Sequence, residues 1–337
     1  MAELSQLAAD RLLPALPVLD ALGLVSNEVV QFGSRSGQET RWGNPPAADR
    51  LVLEALQRAG VRTLVLKGTL LAHTVYATPQ QRVRVDTDLL VPTEQHSAAE
   101  QVFRDLGLEP VSPLSANVID AQKAWCGEVA GARVLLDLHW HLFNNPVFAD
   151  LLSFEELWQR RQEFWMGGFM ASGLGSGDAL LHAALHYFVH HVGQDRPALW
   201  LLDGDLLWQR MDAASREDVV KQALDLGVAG ILGAFLQGAQ DRFGTAIDPA
   251  LLQHLHEAGK HQWRSGILHI NGRPLAAQLL ILRGLESKRA RLNHLRRLLF
   301  PSRAWMRAKY PHARRWALPW LYARRAAEGW RRGTGGA

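Results

Sequence analysis

The sequence is poor in cysteine, because Cys126 is the only one among 337 residues. A single cysteine cannot form an internal disulfide or a cysteine-rich zinc site, so disulfide-stapled secreted scaffolds and zinc fingers are excluded. Apolar runs are also short, and none approaches the roughly 18 residues that a membrane-spanning helix requires. The first residues include Glu3 where a secretory signal has basic residues, and Asp10 interrupts any apolar region. We therefore expect a cytoplasmic protein.

Charged residues make up 21% of the chain and hydrophobic residues 47%. This balance allows a sizeable core and excludes disorder as the dominant state. The two signs of charge are separated along the chain. Residues 287–337 hold 14 Lys and Arg against one acid, Glu328, whereas the rest holds 23 basic and 32 acidic residues. An acidic body is thus followed by a basic segment.

Apolar spacing divides the chain into a mixed region and a helical region. Helices are predicted over 48–59, 70–76 and 94–106, and strands over 63–66, 83–91 and 132–140. From residue 176 to about 288 the spacing is helical. We predict an α+β fold followed by an all-helical C-terminal half. Its parts are an N-terminal helical segment (1–47), a mixed domain (48–165), a helical domain (176–290) and a basic aromatic segment (291–337).

Three polar features occur in order within the mixed region. They are a strand-to-helix turn at Lys67-Gly68-Thr69, the pair Asp86 and Asp88 in the next predicted strand, and Asp137 in a later strand. Side chains two residues apart in a strand share a face, so the paired carboxylates repel unless a cation lies between them. Oxygen ligands suit Mg²⁺, and a third carboxylate on an adjacent strand would complete a two-metal site. The start of the following helix can offer backbone N–H groups to phosphates.

Each feature alone also has an ordinary structural interpretation. Two acids in an Asp-x-Asp pattern most often form the solvated face of an edge strand, and a Lys-Gly pair is usually only a turn. Asp137 could be a structural acid that accepts backbone hydrogen bonds. The apolar neighbours of Asp86 and Asp88 argue against an edge strand, and the order of the three features favours a metal site.

These residues carry a resemblance to a known family. The matching segments are Leu66-Lys67-Gly68, Tyr76, Pro79, Arg82, Asp86-Thr87-Asp88-Leu89-Leu90-Val91, Asp137-Leu138-His139-Trp140, the His186 helix and Trp200-Leu201-Leu202-Asp203. They resemble the uncharacterised nucleotidyltransferase family of the polymerase-beta-like superfamily over about residues 50 to 325. The resemblance implies a polymerase-beta-like nucleotidyltransferase core, a small mixed sheet with helices, ahead of the helical half.

The resemblance also implies roles for individual residues. The metal ligands would be Asp86, Asp88 and Asp137, holding two Mg²⁺ ions, with Asp137 also the base that activates the acceptor. The nucleotide-binding residues would be Lys67, Gly68, Thr69 and Arg82, with the triphosphate held at Gly68 and Thr69. Two residues depart from the family pattern: Thr69 stands where Gly or Ser is usual, and Thr87 replaces a bulky apolar residue.

The implied activity is transfer of a nucleoside monophosphate from an NTP, ATP by default, with release of pyrophosphate. The acceptor would be a hydroxyl or similar nucleophile on a small molecule, a peptide or a saccharide. Residues 48–165 would form the catalytic domain and residues 176–290 the substrate-binding domain. Two alternatives stay open: a catalytically weak nucleotide-binding or regulatory module, and an RNA-directed transferase that uses the basic segment.

Further polar residues suggest a substrate pocket. His182, His186 and His190 recur every four residues and share one helical face, for which we favour packing or a substrate pocket over a metal site. His139 shares the strand face of Asp137. Asp203 and Asp205 lie two apart in a predicted helix, so at most one should point inward, and we choose Asp203. The predicted pocket residues are His139, His186 and Asp203.

The basic segment interleaves cations with aromatic residues, a pattern that suits anionic lipid or nucleic acid. Its alternative is a pair of C-terminal helices packed on the acidic body. Pro301, Pro311 and Pro319 interrupt the segment, so a long amphipathic helix lying on a bilayer is not expected. We favour packing on the body over nucleic-acid or anionic-membrane contact through 287–337, with a location peripheral to a membrane as the alternative.

Overall fold

The computed structural model describes residues 46–111, 121–189, 198–270, 274–285 and 287–300, with scattered positions between 303 and 325. The predicted N-terminal helical segment therefore lies outside the described residues except at its end, as does His190. None of the helices in the described ranges combines the length and the hydrophobicity needed to cross a membrane.

A seven-stranded mixed sheet forms the core of the first half of the described chain. The strands are β1 (Leu64–Val65), β2 (Thr87–Leu90), β3 (Glu109–Pro110), β4 (Gln122–Val129), β5 (Ala132–His139), β6 (Gln162–Met166) and β7 (Phe169–Gly173). Their order is β3-β4-β5-β2-β1-β7-β6. β2 is parallel to β5 and β1 to β7, and the other neighbours are antiparallel.

Helices pack on this sheet and build the second half. They are α1 (Pro46–Arg58), α2 (Lys67–Thr74), α3 (His96–Asp105), α4 (Phe154–Gln159), α5 (Ser176–Val189), α6 (Ala198–Arg210), α7 (Ala213–Asp225), α8 (Ala229–Phe243), α9 (Pro249–His261), α10 (Pro274–Gly284) and α11 (Lys288–Leu299). Short 3₁₀ turns occur at Pro79–Gln81, Thr93–Gln95 and Trp263–His269. The predicted α+β fold with a helical C-terminal half is confirmed.

The predicted strand over 83–91 is wrong in its first half. β2 begins at Thr87, and Asp86 lies in a bend just before it. The neighbouring β1 is only two residues long, because the chain turns into α2 at Lys67, so no β1 residue lies beside 83–86. Arg84 instead forms an ion pair with Asp49 of α1. Alternation within a strand therefore does not relate Asp86 to Asp88.

Four strands escaped the sequence prediction. β3 and β4 extend the sheet beyond β5, and Ala130 and Gly131, with φ values of 52° and 73°, make the two-residue β4–β5 turn. β6 and β7 extend it at the other edge. The predicted domain boundary at residue 165 falls inside β6, and the sheet ends at Gly173. The division into two domains stays a prediction, with its boundary moved to the stretch between Gly173 and α5.

α2 begins earlier than predicted, at Lys67 instead of residue 70. Leu66 is extended, and the Lys67 backbone takes φ 48°, an uncommon left-handed conformation for a residue with a side chain. Gly68 and Thr69 therefore belong to the first turn of α2. This turn lies beside β2, since the Leu66 N–H donates to the carbonyl of Asp88.

Candidate metal and nucleotide site

The parallel pairing of β2 and β5 brings three side chains together. Asp88 lies opposite Asp137 in the register, and His139 lies two residues further along β5, on the same face as Asp137. The His139 Nε2 atom is 3.1 Å from Asp88 Oδ1 and 3.2 Å from Asp137 Oδ2. One ligand atom from each residue lies within 4.8 Å of the others, and this is the one such group among the described residues.

Asp86 is not part of this group, although it was predicted as a ligand. It lies at the entrance to β2 and is half-buried. Burial, followed by the charges of Asp88 and Asp137, raises the pKa of Asp86 to about 7, against the opposing effect of Lys67. Asp86 is therefore close enough to influence the group electrostatically, and its role as a ligand stays a prediction.

Lys67 joins α2 to the group. Its Nζ atom lies 2.6 Å from Asp88 Oδ1, and its side chain is 21% exposed. Burial disfavours the ammonium, but the carboxylates of Asp88, Asp137 and Asp86 outweigh burial and raise the pKa of Lys67. The predicted phosphate contact is thus paired with a carboxylate, at the edge between the cluster and the start of α2.

The carboxylates are balanced by a second cation. Burial opposes charging of His139, but Asp137 and Asp88 outweigh it and raise the pKa of His139 to about 9. Burial would raise the pKa of Asp88, but Lys67 and His139 hold it well below its usual range. Gln122 donates to Asp137 Oδ2 at 3.1 Å, which orients that carboxylate. Lys67 and His139 thus supply positive charge beside the carboxylates of Asp88 and Asp137, whereas the predicted metal ion between Asp86 and Asp88 stays a prediction.

The first turn of α2 packs tightly against the residues before β2. A Cβ atom on Gly68 would lie 3.3 Å from Arg84 Cβ, so a larger residue has little room. The Thr69 hydroxyl is buried and donates to Thr87 Oγ1 at 3.2 Å, and Thr87 donates to Asp49 Oδ1 at 2.8 Å. The predicted triphosphate role of Thr69 therefore cannot use this hydroxyl as placed, which leaves its backbone N–H for phosphate.

Arg82 has partners different from the predicted phosphate. Its Nε and Nη2 atoms each donate to an oxygen of Asp203 at 2.7 Å, and Nη1 donates to the Val83 carbonyl. Tyr76 donates to Asp203 Oδ1 at 2.7 Å. All of these side chains are buried. Arg82, Tyr76 and Asp203 therefore connect the segment before β2 to α6. Sequence reasoning missed the part played by Tyr76, although a carboxylate in an apolar helix signals a buried partner.

A cleft lined in part by Lys67 lies between α2 and the helical half. Its lining is Lys67, Leu71, Arg82, Leu174, Ala179, His182, Ala183, His186, Trp200 and Asp203. The rings of His186 and Trp200 have centroids 4.4 Å apart. Two of the predicted pocket residues, His186 and Asp203, therefore meet at this cleft. His139 instead lies with Asp88 and Asp137, and we call these three residues the metal group because they could hold a metal ion.

Asp205 corrects the expectation that at most one acid of α6 points inward. Both Asp203 and Asp205 are buried, on different sides of the helix. Asp205 accepts hydrogen bonds from Thr245 and Gln209. Because other elements cover α6 on more than one side, the two acids each have polar partners inside the protein.

Comparison with protein families agrees with the resemblance seen in the sequence. A family model described as uncharacterised nucleotidyltransferase matches residues 48–244, more than half of the chain. No curated protein matches. A solved structure of an antigenic nucleotidyltransferase-like protein from Paracoccidioides brasiliensis is 12% identical, covers 62% of this chain and 96% of that chain, and has a TM-score of 0.36. The family match runs from α1 to the end of α8 and includes both the metal group and the cleft.

Proposed function

This chain belongs to the uncharacterised nucleotidyltransferase family, and we propose that it transfers a nucleoside monophosphate from an NTP to an acceptor nucleophile with a divalent metal. One observation carries the proposal: Asp88 and Asp137 lie side by side on parallel strands, with His139 Nε2 within 3.2 Å of both. ATP is proposed as the donor, and the acceptor as a hydroxyl on a small molecule, a peptide or a saccharide.

The donor set fits a divalent cation. Two carboxylates offer the hard oxygen ligands that Mg²⁺ prefers, and the imidazole adds a nitrogen that Mn²⁺ also accepts. Lys67 and His139 now balance the carboxylates, which indicates that this position demands positive charge. We propose that two Mg²⁺ ions bind here. Asp88 and Asp137 would be ligands, and Asp86 would be a third ligand. Bound metal would supply neutralisation of phosphate charge and polarisation of the acceptor oxygen.

The protein's own residues would divide the remaining work. The acceptor oxygen would form a bond to the α-phosphorus, the bond from that phosphorus to the oxygen shared with the β-phosphorus would break, pyrophosphate would leave, and the acceptor proton would pass to Asp137. Gln122 keeps Asp137 oriented. The backbone N–H groups of Gly68 and Thr69, at the positive end of α2, would hold the triphosphate. The Lys67 ammonium would leave its ion pair with Asp88 and bind a phosphate oxygen instead.

We propose that the helical half selects a substrate through the cleft. The cleft shares Lys67 with the metal group, and α5 and α6 contribute His186, Trp200 and Asp203 to its walls. Ala179 and Ala183 lie about one turn apart on α5, and their small side chains leave space in the cleft. Its apolar lining residues, among them Leu71 and Leu174, and the ring of Trp200 suit a planar or apolar part of a substrate. The residues before Gly173 would then form the catalytic domain and those from α5 onward the substrate-binding domain.

A second candidate function is a nucleotide-binding or regulatory module with little turnover. The buried hydroxyl of Thr69 favours it, because this hydroxyl donates to Thr87. Such a module would bind an NTP without releasing pyrophosphate.

The test is calorimetric titration of each NTP with Mg²⁺, paired with a pyrophosphate-release assay. The variants are Asp88→Asn and Asp137→Asn, with Asp150→Asn as the matched control, because the Asp150 side chain is 89% exposed. We expect the wild type and the control to bind one NTP, and the first two variants to bind it at least about tenfold more weakly. Equal binding by all four proteins, or none by the wild type, would contradict the proposal.

A further inference from the structure

The helix α11 turns an apolar face outward. Leu292, Leu295 and Leu299 are spaced three and four residues apart and so lie on one side of the helix. All three are exposed, Leu292 by 67% and Leu299 by 53%, and the following Phe300 is exposed too. We call these four residues the leucine face. An apolar stripe of this spacing is normally the side that packs on a core.

The opposite side of α11 holds the helix on the protein. His294 is buried, and its Nε2 atom lies 2.8 Å from Gln278 Oε1 on α10. The Leu298 carbonyl accepts a hydrogen bond from Arg325. The orientation of α11 is therefore fixed by contacts on this side, and the leucine face is left at the surface by those contacts.

Cations flank the leucine face. Exposed basic residues of α11 include Lys288, Arg289, Arg291 and Arg296, and at 100° per residue Arg291 and Arg296 fall on opposite sides of the stripe. The surrounding segment is strongly basic, with 14 Lys and Arg against one acid over residues 287–337. At the C-terminal end, the Tyr322 ring lies 6.0 Å from Phe300, which places the exposed Trp320 nearby.

We propose that the leucine face docks on an anionic phospholipid surface, with the flanking arginines at the headgroups. An apolar stripe between cations, with tryptophan at the edge, is the composition of helices that lie in a membrane interface. Nucleic acid fits less well, because three of the four side chains of the face are leucines, which offer no stacking surface for bases. A second copy of the chain fits less well too, since its flanking cations would face those of the first.

The prolines of the basic segment do not oppose this binding mode. They argue against a long helix lying on a bilayer, but α11 ends at Leu299, before Pro301. Its 12 residues span about 18 Å, enough for two turns of leucine contact. The proposal is independent of nucleotidyl transfer.

The experiment is co-sedimentation of the full chain with vesicles of mixed phosphatidylglycerol and phosphatidylcholine, and with vesicles of phosphatidylcholine alone. The variant is Leu292→Ser/Leu299→Ser, which changes exposed residues and should leave the fold intact. The matched control is Trp165→Ser on β6, because Trp165 is an equally exposed apolar residue at 64%. Thermal unfolding and far-UV circular dichroism check that each protein is folded.

We expect the wild type and the control to bind the anionic vesicles and to release them as salt rises. The double variant should bind at least about tenfold more weakly, because two leucines no longer enter the interface. Undiminished binding by the double variant would overturn the proposal, as would a wild type that ignores anionic vesicles. Binding of a single-stranded RNA oligonucleotide without vesicle binding would overturn it in favour of nucleic acid.

Discussion

Thr69 on α2 and Thr87 on β2 are hydrogen-bonded to each other, with their hydroxyl oxygens 3.2 Å apart. These are the two positions at which the resemblance implies a departure from the family pattern. The Thr87 hydroxyl in turn donates a hydrogen bond to Asp49, which also forms an ion pair with Arg84. The two departures are therefore one coupled change. A hydroxyl at each position links the first turn of α2 to the strand that carries Asp88.

This coupling predicts that the two threonines do not act independently on stability. Thr69→Val and Thr87→Val should each lower the free energy of unfolding by about 1–2 kcal/mol, because each leaves a buried polar partner unsatisfied. The double variant should lose less unfolding free energy than the two single variants lose together. Denaturant unfolding measures all three. The control is Thr74→Val, whose half-buried hydroxyl donates only within α2, and strictly additive losses would contradict the coupling.

Disrupting the ion pair between Arg82 and Asp203 should lower the free energy of unfolding more than the threonine variants do. Both side chains are buried and joined by two hydrogen bonds of 2.7 Å, so Asp203→Asn leaves a buried guanidinium without its counter-charge. We expect a loss of about 3–5 kcal/mol in the free energy of unfolding. Tyr76→Phe removes one neutral donor to the same carboxylate and should cost about 1 kcal/mol. Denaturant unfolding measures both variants. Similar losses of unfolding free energy in the two would argue against the Arg82–Asp203 ion pair as the main stabilising contact of this group.

Sequence reasoning predicted Asp88 and Asp137 as neighbours, but it counted Asp86 as a ligand and assigned His139 to a substrate pocket. Asp137 and His139 alternate within one strand, so their shared face followed from the sequence. The partners of this group depend on long-range packing that periodicity does not encode. Asp49 approaches Thr87 only because α1 packs beside β2, and Arg82 turns to Asp203 only because α6 packs against the strand region. The assumed strand through Asp86 failed for a related reason: β1 is too short to pair with it.

His73 in the last turn of α2 predicts an acid-sensitive stability. Burial, followed by the positive charge of Arg84, lowers the pKa of His73 to about 4 from its usual 6.5. Below about pH 6.5 the unfolded chain takes up a proton that the folded protein does not. This part of the stability is therefore fully present above pH 6.5 and is lost as the pH falls toward 4.

His73→Leu removes this titration. Between about pH 7 and pH 5 the wild type should lose about 1 kcal/mol more than the variant, a value reduced for the partial exposure of the imidazole. Denaturant unfolding at the two pH values measures the difference. Parallel losses in both proteins would show that His73 does not contribute.

Lys67 predicts competition between the protein's own cation and a divalent metal. Its Nζ atom lies 2.6 Å from Asp88 Oδ1, so a metal at this carboxylate must displace or share with the ammonium. Lys67→Met keeps the length of the side chain and removes the charge. Without nucleotide, the variant should bind Mn²⁺ severalfold more tightly than the wild type, because like charges no longer repel. With Mg²⁺ present, it should bind an NTP more weakly, because a phosphate contact is lost.

Calorimetric titration of Mn²⁺ and of the NTP separates these two effects. The matched control is Lys260→Met, since Lys260 forms an equally short ion pair, 2.6 Å from Glu257, on the exposed surface of α9. Its Mn²⁺ and NTP affinities should stay at wild-type values. If Lys67→Met weakened Mn²⁺ binding instead, Lys67 would be a residue that holds the carboxylates in place, and the exchange of Asp88 for a phosphate oxygen would lose its support.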